Sequence, residues 1–412
     1  MHKSRVSSLI IWAVASIFYA YQYILRVMPS IMMNDILQQF QIDSVMFGQF
    51  SGIYYIGYSL MHLPVGIMLD HYGPKKVMPI CILITILGLL PLMFAEFWVY
   101  PILGRLLTGM GSSAAILGTF KIIRLTFNED KFTRMLSLSV TIGLIGGIYG
   151  GGPVNYMCNL LGYKYVIAIF VVIGIVLSIL TYYLVPNIKP ERSNSVLSNI
   201  KEVFCTPKVL AICFFAGCMV GPLEGFADVW GAAFLKQVYG FENSIAVSLP
   251  SAIFIGMCFG APVLSLIAEK TKSYLGTIVA SGIIMAGSFV ALLVCSMNSV
   301  SIGIMFVVVG VCCSYQIIAI YKASTYVKEH AAGLTTAVAN MVIMSFGYVF
   351  HTIIGWTINV MGGPNDSKAF VYGVLVIPVA LAIGSIGFYI IILSEHIKKK
   401  ARSTCKTRAN AS

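Results

Sequence analysis

Twelve apolar runs, each about 20 residues long, follow one another along a chain of 412 residues. Their centres lie near Ser16, Tyr58, Leu87, Gly111, Gly146 and Val172, then Gly221, Ile255, Gly287, Val308, Met344 and Ala382. At about 1.5 Å per residue, a helix of that length crosses a hydrocarbon core of ~30 Å. Backbone groups inside a bilayer have no water to bond, so only helices and closed barrels can span it. Barrel strands alternate polar and apolar over about ten residues, which these runs do not do. The expectation is an all-α membrane protein with twelve transmembrane helices. Charged residues make up 10% of the chain, against about 25% in an ordinary soluble domain. The first run continues from Leu9 past Ala15, Tyr19 and Tyr23 to Val27. That is too long for the apolar core of a signal peptide and right for an uncleaved first span.

The net charge of +12 does not indicate a nucleic-acid partner, because Lys and Arg occur in short groups between apolar runs, not as one patch. Counted by side, 22 of the 27 Lys and Arg fall with the N-terminus or at adjoining helix ends; Arg26, Arg105, Lys164, Lys236 and Lys368 do not. The positive-inside rule then puts both termini in the cytoplasm. The membrane is expected to be a bacterial inner (cell) membrane. The 10 cysteines include no CxxC pair and no His/Cys spacing suited to zinc. No metal and no cofactor are expected. There is no HExxH, nucleophile elbow or phosphate loop, so an enzyme is not expected.

The longest polar stretch between runs lies at 186–207. It divides an N-terminal half, 1–187, from a C-terminal half, 208–395, through a cytoplasmic linker at 188–207; a basic cytoplasmic tail follows at 396–412. A short amphipathic helix is expected near 196–204. The halves are distant copies. A shift of 201 carries Lys121 to Lys322 and Gly109 to Gly310; a shift of 199 carries Asp70 to Glu269 and Gly66 to Ser265. Two pseudo-symmetric six-helix halves are a common build of secondary transporters, with the site at their interface.

The second run ends Gly66-Ile-Met-Leu-Asp70-His-Tyr-Gly73-Pro-Lys75-Lys76. Gly66 is expected to permit close helix contact and Gly73 a tight turn. Asp70 ends a helix, where a carboxylate is badly placed against the dipole and needs a cation. The segment resembles the loop between spans two and three of the major facilitator superfamily, G-x-x-x-D-x-x-G-x-[RK]-[RK]. Arg105-Leu-Leu-Thr-Gly109-Met-Gly111 resembles that family's R-x-x-x-G-x-G in span four. The second-half copy of the loop is degraded, with Ser265, Glu269 and Lys272 at the motif positions. The resemblance covers about residues 10–395 and implies the major facilitator fold, with Gly66, Asp70, Gly73, Lys75, Lys76, Arg105, Gly109, Gly111 and Glu269 governing gating. Trp230-Gly-Ala-Ala-Phe-Leu235 and Phe259-Gly-Ala-Pro262 look like the branch that includes lysosomal dipeptide uniporters. Anion–cation symporters, which also carry an Arg in span one, resemble it closely too.

Glu224 and Asp228 are the carboxylates set well inside an apolar run. A charge at mid-membrane costs about 2.5–3.5 kcal/mol on insertion scales, so both should face the protein interior. At i, i+4 they share a helix face. They bind substrate or coupling ion, or else pair with another helix for packing alone. Arg26 shares a face with Tyr19, Gln22 and Tyr23 in the first run; it serves the site or snorkels to the headgroups. Adding 199–201 to 26 lands between Glu224 and Asp228, which puts cation and acids at similar depth in opposite halves. Asn340 and His351 lie on one face of the eleventh run. His351 is the better candidate for titration, while His62 reads as a helix contact. Tyr54, Tyr55 and Tyr58 line a cavity or pack. Lys121 and Lys322 read as snorkelling side chains.

The expected function is secondary active or facilitative transport of a small polar solute by a monomer in the lipid bilayer, either as a uniporter or with protons as a second partner. Acids in one half and a guanidinium in the other suit a zwitterion such as a dipeptide or amino acid. The alternatives are a proton-coupled organic-anion symporter and, in another class, a non-transporting receptor or scaffold.

Overall fold

The computed structural model describes residues 5–186 and 203–409, and among these the regular structure is helical. Among the described residues, twelve helical segments are long and apolar enough to span a membrane. Spans one to six are Ser8–Ser30, Ser44–Tyr72, Pro74–Phe94, Val99–Thr126, Arg134–Leu161 and Tyr163–Leu184. Spans seven to twelve are Pro207–Tyr239, Asn243–Thr271, Tyr274–Val294, Ser299–Ser324, Leu334–Val360 and Ser367–Ile397. The amphipathic helix expected at 196–204 lies, except for its last two residues, outside the described residues, as does most of the expected linker. The last helix runs unbroken from Ser367 to Ala409, so the basic tail begins as its extension.

The repeat read from the sequence reappears as matched contacts. A Cβ on Gly109 would sit 2.0 Å from the Tyr54 carbonyl oxygen, and one on Gly310 would sit 2.0 Å from that of Ile253. A Cβ on Gly57 would meet the Leu106 oxygen at 2.2 Å, and one on Gly256 the Val307 oxygen at 2.1 Å. Each pair is related by shifts of 199 and 201, so span four sits on span two as span ten sits on span eight. Gly111 is equally confined, by the Cys81 oxygen at 2.2 Å.

An even number of spans puts the start of span one and the end of span twelve on one face, the terminal face. On the opposite, distal face the two halves touch. A Cβ on Gly48 would lie 2.5 Å from the His351 oxygen, and one on Gly52 would lie 2.9 Å from the Tyr348 Cα, which brings spans two and eleven backbone to backbone. Spans five and eight meet beside them, and Asn243 Nδ2 donates to Asn155 Oδ1 at 3.0 Å. Toward the terminal face the spans diverge. Gly66 sits in that diverging part: a Cβ there would meet nothing within 4 Å. The close contact expected at Gly66 is therefore absent.

Candidate functional site

Span seven is not one regular helix. An α-helix over Pro207–Gly225 gives way to a π-helical turn at Phe226–Trp230, and a second α-helix covers Gly231–Tyr239. Pro222 removes one backbone donor just before the slip. Single π turns inside α-helices occur often at functional sites. This one carries Asp228, with Glu224 one turn earlier.

Both acids close on Arg26. Its Nη2 donates to Glu224 Oε2 at 2.8 Å, and its Nε lies 3.0 Å from Asp228 Oδ2. Tyr55 donates to Asp228 Oδ2 and lies 3.2 Å from Glu224 Oε2. The guanidinium also stacks over the Tyr23 ring, 4.2 Å from its centroid. Arg26, Glu224 and Asp228 are 5%, 5% and 1% exposed. Snorkelling of Arg26 is thereby ruled out, and cation and acids from opposite halves form one cluster. Gln22 adds a support, accepting from the Tyr54 hydroxyl at 2.6 Å. Sequence reasoning left Tyr55 undecided, yet it touches both acids. A tyrosine in an apolar run packs its ring and bonds its hydroxyl in either role, so its sequence position carries no signal.

Arg105 reaches the same cluster from behind. Its Nη1 donates to the Leu25 oxygen at 2.7 Å and its Nη2 to the Arg26 oxygen at 2.8 Å. These carbonyls lie in the last turn of the α-helix Arg5–Val27, and Pro29, four residues after Leu25, has no N–H to offer the Leu25 oxygen. The fork therefore holds the backbone from which Arg26 projects. Its guanidinium also lies 4.8 Å from the Tyr54 ring centroid. A lysine keeps the charge but cannot bond two carbonyls in that planar geometry. Arg105→Lys is expected to lower transport about tenfold with little change in expression, an effect of about 1.4 kcal/mol. Initial-rate uptake in proteoliposomes measures it, and a fully active variant removes the bidentate role.

A cavity of about 500 Å³ begins at this cluster and opens toward the terminal face. Arg26, Tyr23, Gln22 and Glu224 line its deep end, and Asn340 lines it further out. His351 does not line it. It is 0% exposed, with its ring 5.6 Å from that of Tyr55 and its carbonyl oxygen accepting from Trp230 Nε1 at 3.3 Å. Spans two and eleven are in contact at that depth, which seals His351 into the distal closure instead of exposing it to a solute.

The loop motif lies apart from the cavity. Gly73 ends the span-two helix at φ 78°, ψ 161°, a conformation open essentially to glycine alone. Asp70 pairs with Lys121 at 2.7 Å, a contact from span two to span four. Lys121 is thus an ion-pair partner, not a snorkelling side chain. Lys75 instead rides over the Tyr182 ring at 5.4 Å, and Lys76 is exposed. In the second half Glu269 is exposed, and Lys322 lies over the Tyr326 ring at 5.0 Å. The equivalent turn uses Lys272 at φ 52°, where a non-glycine residue is tolerated. Asp70→Asn is expected to slow transport several-fold, about fivefold, at unchanged equilibrium affinity, since a partly exposed pair contributes about 1 kcal/mol or less. Comparing uptake rate with binding by thermal shift checks this; a selective loss of affinity contradicts it.

Two six-helix halves around a central cavity, sealed on one face and opening on the other, define a membrane transporter. The family model described as Major Facilitator Superfamily matches residues 11–352, and the chain belongs to that superfamily. Among solved structures, a bacterial homologue of the human lysosomal transporter Spinster, inward-facing and unoccupied, has a TM-score of 0.75 at 15% identity, covering 94% of this chain and 98% of that one. The nucleoside transporter NupG gives a TM-score of 0.75 at 15% identity, covering 94% and 99%. The quinolone resistance protein NorB of Staphylococcus aureus is 27% identical over 155 residues, 36% of this chain. That match spans 30% of NorB, so this chain covers less than a third of that relative's length.

Proposed function

We propose that the protein carries a small zwitterionic solute, a dipeptide or amino acid, by alternating access between its two halves. The observation that supports this reading is the split of the buried cluster between the halves: Arg26 of span one bonds Glu224 and Asp228 of span seven, and of the two acids Glu224 lines the cavity. An amine pairs with Glu224, while Asp228 stays behind on Arg26. The solute's carboxylate then takes the place that Glu224 leaves on Arg26. This exchange replaces one bond between the halves by two bonds through the solute, so that binding and closure are linked. A proton on Glu224 loosens the same bond to Arg26 in the solute's absence, which favours proton coupling. A dianion finds the guanidinium already occupied, so the organic-anion alternative has less support.

In this reading the basic terminal face is cytoplasmic, the cavity opens inward, and one chain in a bacterial cell membrane suffices. The test is binding to purified protein, read by thermal shift, of a free dipeptide and of its N-acetylated and amidated forms. Each block should weaken binding about tenfold or more, the scale of a charge-assisted bond. In Glu224→Gln, N-acetylation should no longer matter. Tight binding of dicarboxylates or sugar phosphates, with none of zwitterions, overturns the proposal.

A further inference from the structure

The cavity has a second polar layer that the charged cluster does not use. His62 lines it, is 5% exposed, and its Nδ1 has no hydrogen-bond partner among the described residues. Across the cavity, Gln316 Nε2 donates to Asn340 Oδ1 at 3.3 Å, and both side chains also line it. Depth follows from helix register. A Cβ on Gly347 would lie 2.6 Å from the Tyr55 ring, so Gly347 and Tyr55 sit at one level. His62 follows Tyr55 by seven residues and Asn340 precedes Gly347 by seven, on antiparallel spans two and eleven. Both are therefore two turns nearer the terminal face, about 10 Å from the charged cluster.

The space between the two layers is aromatic. Tyr58, one turn after Tyr55, holds its ring 5.3 Å from that of His62 and lines the cavity. From deep to shallow the order is charged, aromatic, polar. A ligand that matches it has a charged head, a flat apolar middle and a hydrogen-bonding tip. Buried polar groups left without a partner disfavour a ligand that lacks the tip.

We infer that His62 and the Gln316–Asn340 pair form a second station that hydrogen-bonds the far end of the solute, selecting zwitterions with a polar-tipped aromatic side chain, such as tyrosine-containing dipeptides. This inference rests on the zwitterion reading above. Its test compares glycyl-tyrosine with glycyl-phenylalanine, which differ by one hydroxyl, in the wild-type protein and in His62→Phe and His62→Gln. The wild type should prefer the phenol about tenfold, the worth of one hydrogen bond. His62→Phe keeps a ring against Tyr58 and should bring the ratio near one by weakening the phenol alone. His62→Gln should restore part of the preference. A ratio near one in the wild type, a ratio unchanged in His62→Phe, or equal losses for both peptides overturns the second station. Failure of both peptides to bind the wild type overturns the zwitterion reading and this inference with it.

Discussion

Arg26→Met is expected to abolish transport and to lower thermal stability. The substitution leaves Glu224 and Asp228 buried without their cation, and breaking a buried pair in this way costs about 3–5 kcal/mol. The cost falls on a contact between the halves, because Arg26 belongs to span one and both acids to span seven. A neutral triple variant, Arg26→Met with Glu224→Gln and Asp228→Asn, removes the unpaired charges. It should recover most of the lost stability and none of the transport. Melting temperature and proteoliposome uptake, measured on both variants, separate folding from function. Recovery of uptake in the triple variant would show that the cluster serves packing alone.

Gly52→Leu should act from the other side of the same closure. A Cβ at Gly52 already lies 2.9 Å from the Tyr348 Cα and 3.2 Å from a Tyr348 ring carbon. Backbone cannot yield as a flexible side chain can, so spans two and eleven must separate at the distal face. Transport should fall about tenfold or more, since overpacking costs about 1–3 kcal/mol in the state that contains it. Ser51, 1% exposed in this closure, supplies the readout. Replaced by cysteine in a background without the native thiols, it should resist a membrane-impermeant reagent. Addition of Gly52→Leu should make it reactive. An unreactive thiol with normal uptake would mean that the distal contact tolerates the bulk without opening.

The fold was legible because a bilayer leaves so few solutions. Runs of about 20 apolar residues, basic residues on alternate sides and a repeat shift near 200 residues lead to two six-helix halves. Arg26, Glu224 and Asp228 were legible for the same reason, since charge inside an apolar run needs a partner. What escaped was relational. Lys121 near a helix end looks like a snorkelling side chain until Asp70 is placed on the neighbouring span. His351 shares a helix face with the cavity residue Asn340, but the helix crosses from cavity to closure between them. Gly66 has the spacing of a helix contact in a region where the halves diverge. The π turn at Phe226–Trp230 is a slip of backbone bonding, and Pro222 before it signals a lost donor without fixing where the slip falls.

In the proposed mechanism the Arg26–Glu224–Asp228 cluster is the bond that keeps the distal face closed until a solute or a proton loosens it. Spin-label distances test this most directly, with one pair at Lys164 and Lys368 across the distal face and another at His71 and Lys270 across the terminal face. In the double variant Glu224→Gln, Asp228→Asn, the distal distances should lengthen and the terminal distances shorten relative to the parent protein. Unchanged distributions at both faces, with the acids neutralised, would contradict it.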